Sequence, residues 1–185
     1  MKISFKMVII AFLGVFMLSG CIHRELIISD IGVLSENNIS KSNVIVQRIA
    51  FPVSEYARLK KTGNSTVSGR IYAINADGKR IYGKHTRLYL NPVTSYSRQW
   101  YQESYVKGHK MAKSDKRLYN YLKFTASDAG GNFAFYGVPA GRYYVIGTVR
   151  CAQECGYETP KIIRIAKEIT VSSGETKSVD LGKSL

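Results

Sequence analysis

The sequence predicts an all-β protein, an antiparallel seven-stranded β-sandwich. Segments in which apolar and polar residues alternate recur along the 185-residue chain, and Gly, Asp, Asn or Pro turns separate them. No segment carries the apolar period of a strong, long helix. The stretch Asp128–Val145 combines two turns with two strands, and its glycines, proline and aromatic residues are typical of tight turns and buried strands. Regular spacing of this kind favours two packed antiparallel sheets.

The first half of the domain is predicted to contain strands on either side of a short helical segment. Val44–Phe51 reads as a strand that stops at Pro52, because proline cannot continue a hydrogen-bonded ladder. Ser54–Lys61 is compatible with one or two helical turns. Thr66–Ile74 alternates strongly, which places its odd-numbered residues on one face. Arg87–Asn91 follows an Asp-Gly turn and is predicted to be a strand with its two leucines on one face.

The middle of the chain is less strand-like. Aromatic residues recur four positions apart in Tyr96–Lys107, so that pairs of rings can stack on one helical face. A short helix or an aromatic loop near residues 96–107 is therefore predicted. Lys107–Arg117 reads as a basic, polar loop, and the alternation of Leu118–Thr125 predicts a return to strand.

The C-terminal part has the strongest strand patterns. Asp128–Asn132 has the composition of a tight turn, and the two rings of Phe133–Phe135 are predicted to face the same side of the next strand. Tyr143–Val149 reads as a core strand, and Lys161–Val171 as a long strand or a bent pair of strands. Thr176–Leu181 is predicted to close the sheet, with its valine and leucine pointing inward.

The order of these motifs carries a resemblance to a known family. The element Asp128–Val145 resembles the signature of carboxypeptidase regulatory-like domains, which are small transthyretin-like (prealbumin-like) sandwiches. The earlier strand–turn–strand order, followed by Pro92, Thr94, Tyr96 and Trp100, resembles the first half of the same domain, and the likeness covers roughly two thirds of the chain. It implies a prealbumin-like, Greek-key sandwich that acts as an accessory domain and not as a peptidase.

The first twenty residues have the features of a targeting segment. Lys2 and Lys6 form a basic region, and Met7–Met17 is apolar but too short to span a bilayer comfortably as a helix. Leu18–Cys21 then resembles a bacterial lipobox, which implies cleavage before Cys21, diacylation of its thiol and acylation of the new amino terminus. An ordinary signal peptide with an incidental cysteine is the alternative.

The lipobox divides the sequence into three predicted parts: a lipoprotein signal peptide at 1–20, a lipid-anchored tether at 21–43 and the β-sandwich domain at 44–185. The residue after the cysteine is Ile22 and not Asp. By resemblance to the sorting rule of enteric-type bacteria, this favours the outer membrane, with the domain facing the periplasm. The predicted location argues against nucleic acid as a partner.

The full chain has a net charge of +14, and removal of residues 1–20 leaves 25 basic and 13 acidic residues, a balance of +12. This charge indicates attraction to anionic surfaces, such as lipid head groups, lipopolysaccharide phosphates or an acidic partner. The lysines and arginines are scattered and form no dense run, so a soluble surface that is simply basic is an equal alternative.

Two cysteines remain after lipidation of Cys21, and the predicted compartment is oxidising. Cys151 and Cys155 are therefore predicted to form a disulfide in a loop between strands. The alternative is a metal or redox pair, but the spacing is not Cys-x-x-Cys and no histidine lies nearby in the sequence.

The sequence shows no catalytic constellation. His23, His85 and His109 are isolated from one another, and no zinc-binding histidine spacing, Gly-x-Ser-x-Gly elbow or phosphate-binding glycine loop occurs. No cofactor and no metal are expected. A hydrolase would require an acid, base or metal that sequence separation conceals.

One segment carries a binding hypothesis. Aromatic side chains adjoin the basic loop, and rings with cationic neighbours can stack on sugars or receive a protein partner. The alternative is that these rings cover the open end of the sandwich. The candidate binding residues are Tyr96, Trp100, Tyr101, Tyr105, Lys107, Lys110 and Lys113.

The sequence thus predicts a non-catalytic, membrane-anchored lipoprotein whose sandwich is an interaction or accessory module of the bacterial envelope. The alternative function is glycan or lipopolysaccharide binding through segment 96–117. The expected partners are the membrane, through the N-terminal lipid, and an envelope protein or an anionic glycan or lipid.

Overall fold

The computed structural model describes residues 44–185, so the predicted signal peptide, the tether and the lipidation site Cys21 lie outside the described residues. Two short α-helices, one π-helix turn and two 3₁₀ turns accompany eight strands. The α-helices are α1 (Val53–Ala57) and α2 (Ser95–Trp100), and α2 continues into the π-helix Tyr101–Val106. The 3₁₀ turns are Lys116–Tyr121 and Gln153–Cys155. The strands are β1 (Ser65–Ile74), β2 (Arg80–Tyr82), β3 (Arg87–Pro92), β4 (Lys123–Ala126), β5 (Asn132–Val138), β6 (Gly141–Cys151), β7 (Lys161–Val171) and β8 (Thr176–Ser184).

The first sheet is built around β1. One edge of β1 pairs with β8 in parallel from Thr66 to Ile74. The other edge is shared, because β5 pairs with the first part of β1 and β2 pairs with its last three residues, both antiparallel. Strand β1, which the alternation of the sequence predicted, is therefore the centre of its sheet.

The second sheet has the order β4-β3-β6-β7 and is antiparallel throughout. The β6–β7 pair extends from Gly141 opposite Val171 to Cys151 opposite Lys161, and forms the longest ladder of the fold.

The core lies between the two sheets. Each strand turns alternate side chains inward, and burying an aliphatic or aromatic side chain stabilises the fold by about 1.5–3 kcal/mol. The first sheet contributes Val67, Ile71, Phe133, Phe135, Val179 and Leu181, and the second contributes Leu88, Leu90, Val145, Val149, Ile165 and Ile169.

The predicted β-sandwich is confirmed, together with the inward faces of its best-patterned strands. Phe133 and Phe135 are buried with their rings 5.9 Å apart, and Val179 and Leu181 are buried on β8. The disulfide between Cys151 and Cys155 is also present, with the two Cα atoms 5.6 Å apart. The predicted helix near 96–107 is found as α2 and the π-helix.

The prediction of a strand at Val44–Phe51 was wrong. This segment makes one isolated parallel bridge, in which the Val46 N–H donates to the Lys110 carbonyl at 2.8 Å. The Ala112 N–H in turn donates to the Val46 carbonyl at 3.0 Å. The backbone of the segment thus bonds to a loop and not to a sheet edge, and alternation alone could not show which partner it finds.

The predicted strand Leu118–Thr125 is a strand only in its last part, where β4 begins at Lys123. The residues before it form the 3₁₀ turn Lys116–Tyr121, which Asp115 caps because its carboxylate accepts the Arg117 N–H at 2.9 Å. Local side-chain-to-backbone bonding by aspartate outweighs the alternating pattern here.

The fold also departs from the predicted topology in two details. Residues 44–185 form eight strands and not seven, because the three-residue β2 follows the turn after β1. The β1–β8 pair is parallel, whereas the sequence predicts a fully antiparallel sandwich. In the described part of the chain, no helix has both the length and the apolar composition that crossing a membrane requires.

Candidate functional site

The outer face of the second sheet carries the candidate site. Tyr89 and Asn91 on β3 alternate with the buried leucines of that strand and therefore point away from the core. Tyr144 and Ile146 of β6 form a second apolar cluster on the same outer face, separate from the core between the sheets. This face is covered in part by α2 and the π-helix, whose Trp100 packs against the cluster.

The start of α2 is held firmly, which fixes the position of Trp100. The Thr94 side chain accepts the Ser97 N–H at 3.3 Å, and the Ser97 hydroxyl accepts the Thr94 N–H at 2.8 Å, forming a capping box. Residues of α1 add two further bonds, because the Thr94 hydroxyl donates to the Tyr56 hydroxyl at 3.0 Å and Glu55 accepts the Ser95 N–H at 2.8 Å.

Aromatic stacking fixes the far end of this helical segment. The Tyr101 ring stacks on Tyr144 with centroids 4.5 Å apart, and Tyr105 lies 5.2 Å from Tyr101. Trp100 lies 6.3 Å from Tyr105 and 6.4 Å from Tyr144. The rings therefore cover a sheet face and not the open end of the sandwich, which was the alternative interpretation of this segment.

A cavity of about 290 Å³ opens beside Trp100 on this face. We call it the aromatic cleft. Its walls come from β3, α2, the 3₁₀ turn Lys116–Tyr121 and β4, with one side chain from the N-terminal segment of the domain. The residues that line it include Arg48, Arg87, Tyr89, Asn91, Tyr96, Trp100, Tyr119 and Phe124.

Two rings at the edge of the cleft face solvent. Tyr119 is 60% exposed and Phe124 is 47% exposed, so both rings are accessible to a ligand from solvent. Tyr89 lies beneath them, 6.1 Å from Phe124, and burial raises the pKa of its hydroxyl. The cleft thus combines solvent-facing rings with a neutral phenol.

Asn91 contributes the most unusual polar group of the cleft. Its side chain is only 4% exposed, yet its Oδ1 has no hydrogen-bond partner within residues 44–185. A buried acceptor without a partner costs about 1–3 kcal/mol, so native proteins rarely retain one without a reason.

Of the predicted binding residues, the structure brings only Tyr96 and Trp100 to this cleft. Tyr96 is 2% exposed, and its hydroxyl accepts the Asp115 N–H at 2.8 Å, so it forms part of the wall. Tyr101 and Tyr105 pack against the outer cluster instead.

The predicted lysines lie outside the aromatic cleft. Lys107 pairs with Glu103 at 2.7 Å, and this contact is the leading cause of the lowered pKa of the Glu103 carboxyl. Lys110 and Lys113 are exposed in the loop that the N-terminal segment of the domain contacts. The positive charge of the cleft comes instead from Arg48 and Arg87.

Sequence reasoning missed Arg87, Tyr89 and Asn91, although a signal was present. Once the leucines of β3 are assigned to the core, the remaining residues of the strand must face outward, and they are cationic, aromatic and amide in turn. Arg48, Tyr119 and Phe124 had no comparable signal, because only the fold brings them beside β3.

The two histidines within residues 44–185 are not assembled into one site, and His23 lies outside the described residues. The His109 Nδ1 lies 2.9 Å from Glu103, whereas His85 lies in the loop before β3, beside a different cavity. Within residues 44–185, no group of three or more His, Cys, Asp or Glu side chains could hold a metal ion.

Comparison with known proteins gives a structural similarity. No family model matches the sequence, and no curated protein matches it. The crystal structure of a Pseudomonas aeruginosa protein, provisionally described as a carbohydrate-binding protein, is similar to this chain with 26% sequence identity and a TM-score of 0.64. The similarity covers 73% of this chain and 99% of that chain.

Proposed function

We propose that this protein is a lipid-anchored lipoprotein of the bacterial envelope whose β-sandwich binds carbohydrate at the aromatic cleft. The proposal includes kinship with carboxypeptidase regulatory-like domains and a non-catalytic, accessory role. It narrows the broader expectation of an interaction module to one class of ligand. The provisional description of the similar Pseudomonas aeruginosa protein as carbohydrate-binding supports it.

The observation that carries the proposal is the composition of the cleft. Solvent-facing rings stand beside a buried amide oxygen that has no donor among the described residues. A pyranose ring offers apolar C–H faces that can lie against aromatic rings, and its hydroxyls donate hydrogen bonds. The Asn91 oxygen has almost no exposed surface. The amide therefore has to turn toward the cleft before a sugar hydroxyl can donate to it.

The size of the cleft agrees with a short stretch of glycan. Its volume of about 290 Å³ lies near the lower end of the roughly 300–1,000 Å³ that is usual for small-molecule sites. A ligand of one or a few sugar units fits that volume better than a large cofactor does. A longer chain would extend over Tyr119 and Phe124 at the edge.

Substitution of the rings tests the proposal. We expect Trp100→Ala and Tyr119→Ala each to weaken binding at least about fivefold, because losing one stacked aromatic contact costs on the order of 1 kcal/mol. The measurement is titration calorimetry or affinity electrophoresis of the full chain in neutral detergent against a panel of acidic and neutral polysaccharides.

Tyr136→Ala is the matched control, since Tyr136 is 75% exposed on β5 of the other sheet. Tyr119→Ala guards against loss of folding, because its side chain is mostly solvent-facing whereas Trp100 also packs against Tyr144. Unchanged binding in both cleft variants would exclude this cleft as the site, and a panel without any binding would refute carbohydrate binding.

The anchor is tested separately by mass spectrometry of the mature amino terminus. The lipobox Leu18–Cys21 predicts that the chain begins at Cys21 and carries acyl groups on its thiol and amine. Each buried CH₂ of an acyl chain contributes about 0.8 kcal/mol, so several chains hold the protein in the membrane effectively permanently. An unmodified Cys21, or cleavage at another residue, would contradict the lipoprotein assignment; Cys21→Ser should abolish acylation.

A further inference from the structure

Three arginines surround the aromatic cleft and its helical wall. Arg48 and Arg87 line the cleft, and the Arg164 guanidinium lies 6.0 Å from the centre of the Trp100 ring. The Arg48 Nε donates to the Ala112 carbonyl at 2.8 Å, which holds that side chain in place. Arg48 is therefore part of the built wall of the cleft, and Arg87 and Arg164 are exposed beside it.

These arginines are not neutralised by acids. Within the part of the chain that the structure describes, none of the three forms an ion pair, and no Asp or Glu lines the cleft. The nearby acids are engaged elsewhere: Asp115 pairs with Arg117, and Glu168 pairs with Arg142. A concave surface lined by one sign of charge focuses its field on an approaching ligand of the opposite sign.

Aromatic rings position the guanidinium groups. Arg48 lies 5.2 Å from the centre of the Tyr96 ring, and Arg87 lies 5.7 Å from that of Phe124. A cation over a ring face is attracted by the negative face of the π-system. A guanidinium held in this way still has free N–H groups that can donate hydrogen bonds. Two of them lie in one plane and can bind both oxygens of a carboxylate or two oxygens of a phosphate.

We infer that the aromatic cleft selects acidic sugars, whose carboxylate or phosphate is bound by Arg87 and Arg164 while the sugar ring lies against the aromatic side chains. This inference rests on the proposed function and specifies the ligand class of the same site. The net charge of the mature chain, +12 once Lys2 and Lys6 are removed with the signal peptide, adds long-range attraction for an anionic polymer but does not by itself place the ligand in the cleft.

The unpartnered Asn91 oxygen favours an acidic glycan over a nucleic acid. Single-stranded nucleic acids also bind surfaces that combine cations with aromatic rings. Asn91 Oδ1, however, is an acceptor and needs a donor. Each sugar unit of a glycan carries several hydroxyl donors, whereas the phosphates of a nucleic acid only accept and its N–H donors are confined to the edges of the bases. An oligonucleotide is therefore included in the test as a competing ligand.

The test compares polymers that differ only in charge. The probes are polygalacturonate and its fully methyl-esterified form, and a phosphorylated mannan and the same mannan after dephosphorylation. A thymidine oligonucleotide serves as a nucleic-acid probe. Affinities are measured for the full chain in neutral detergent, for Arg87→Gln/Arg164→Gln, and for the control Lys110→Gln/Lys113→Gln, which removes the same charge outside the cleft.

We expect the parent chain to bind the acidic member of at least one pair roughly tenfold more tightly than its neutral partner, as one charge-assisted hydrogen bond of about 1.5 kcal/mol predicts. The arginine variant should lose that preference and bind the acidic and the neutral member of the pair about equally, and the lysine variant should retain the preference. The pair that shows the effect distinguishes a carboxylate from a phosphate ligand.

Other results would overturn the inference in recognisable ways. Equal binding of acidic and neutral polymers would remove the charge selection and leave carbohydrate binding intact. A preference that disappears in the lysine variant but survives in the arginine variant would place the charge recognition in the loop. Binding of the oligonucleotide without binding of any acidic polymer would identify nucleic acid, and not acidic sugars, as the ligand class. No binding of any polymer would refute the proposed function as well.

Discussion

The Asn91 side chain lowers the stability of the fold but favours the proposed binding. Its Oδ1 lacks a hydrogen-bond partner among the described residues, and the side chain lies in the wall of the aromatic cleft. Leu90 beside it is fully buried in the core, so the backbone position itself is well ordered. A buried, unpaired amide destabilises the fold, whereas a sugar hydroxyl would give it a partner.

Replacing this amide with an apolar group of similar size should separate the two roles. We expect Asn91→Leu to leave the free energy of unfolding unchanged or raise it by about 1 kcal/mol, while glycan binding falls strongly. Urea denaturation and glycan titration of the same preparation measure the two effects.

Asn132→Leu is the matched control because its amide is satisfied: Nδ2 donates to Asp128 at 2.8 Å and Oδ1 accepts from Arg70 at 2.9 Å. That change should lower stability and leave binding unaltered. If Asn91→Leu instead destabilises the fold and binds glycan normally, the amide has no role in recognition.

At the scale of elements, the parallel pair β1–β8 is the least expected feature of the fold. The chain leaves the second sheet after β7, turns at Ser172–Glu175 and enters the first sheet beside β1. Gly69 lies in the middle of this pairing, opposite Val179. A Cβ atom at Gly69 would overlap the Val179 backbone, so the absence of a side chain permits the close approach of the strands.

Adding one methyl group there tests the pairing. We expect Gly69→Ala to lower the free energy of unfolding by about 1–3 kcal/mol, because the clash involves backbone that cannot move aside cheaply. Hydrogen exchange should show that β8 amides lose protection first.

Ser68→Ala is the neighbouring control, and no loss of β8 protection is expected for it, since a Cβ is already present at Ser68. Equal effects of the two substitutions would show that β1 is sensitive to any change. The loss of stability in Gly69→Ala would then not be due to the close approach of β1 and β8.

Spacing explains the helical element before the cleft only in part. Rings four residues apart predicted a helix near 96–107, and a helix is present. The spacing could not show that Tyr96 would become a buried wall residue while Tyr101 stacks on Tyr144, because those partners lie in other elements.

Buried tyrosines couple the stability of the whole molecule to alkaline pH. Burial raises the pKa of Tyr56 and of Tyr144 to about 12 each, and it also raises the pKa of Tyr72, Tyr89, Tyr101 and Tyr143. In the unfolded chain these hydroxyls titrate near the ordinary value of about 10. A raised pKa in the folded state means that the stabilisation is fully present below pH 10 and is lost as the pH rises through 12.

We therefore expect the free energy of unfolding to fall between about pH 10 and 12, by up to about 1.4 kcal/mol for each unit of pKa difference. Tyr56→Phe and Tyr144→Phe should each make this fall shallower. Urea denaturation across the pH range, together with the tyrosinate absorbance, measures it.

Tyr136→Phe, at an exposed tyrosine, should follow the parent protein. A fall of the same steepness in the parent and in both buried-site variants would assign the alkaline transition to the lysines instead of the tyrosines.

The sequence alone determined which side of each well-patterned strand faces the core. Alternation was enough to place Phe133, Phe135, Val179 and Leu181 inside, and Cys151 could be paired with Cys155. These features are local, because successive side chains of a strand point to opposite faces and a short loop brings its own ends together.

Only the tertiary structure decided which strands became neighbours and which outward-facing side chains met. Arg48, Asn91, Tyr119 and Phe124 are far apart in the sequence, yet they line one cleft. The direction of a side chain is set by the backbone at its own position. The side chains that it contacts depend on the pairing of distant strands, and many pairings satisfy the same alternation.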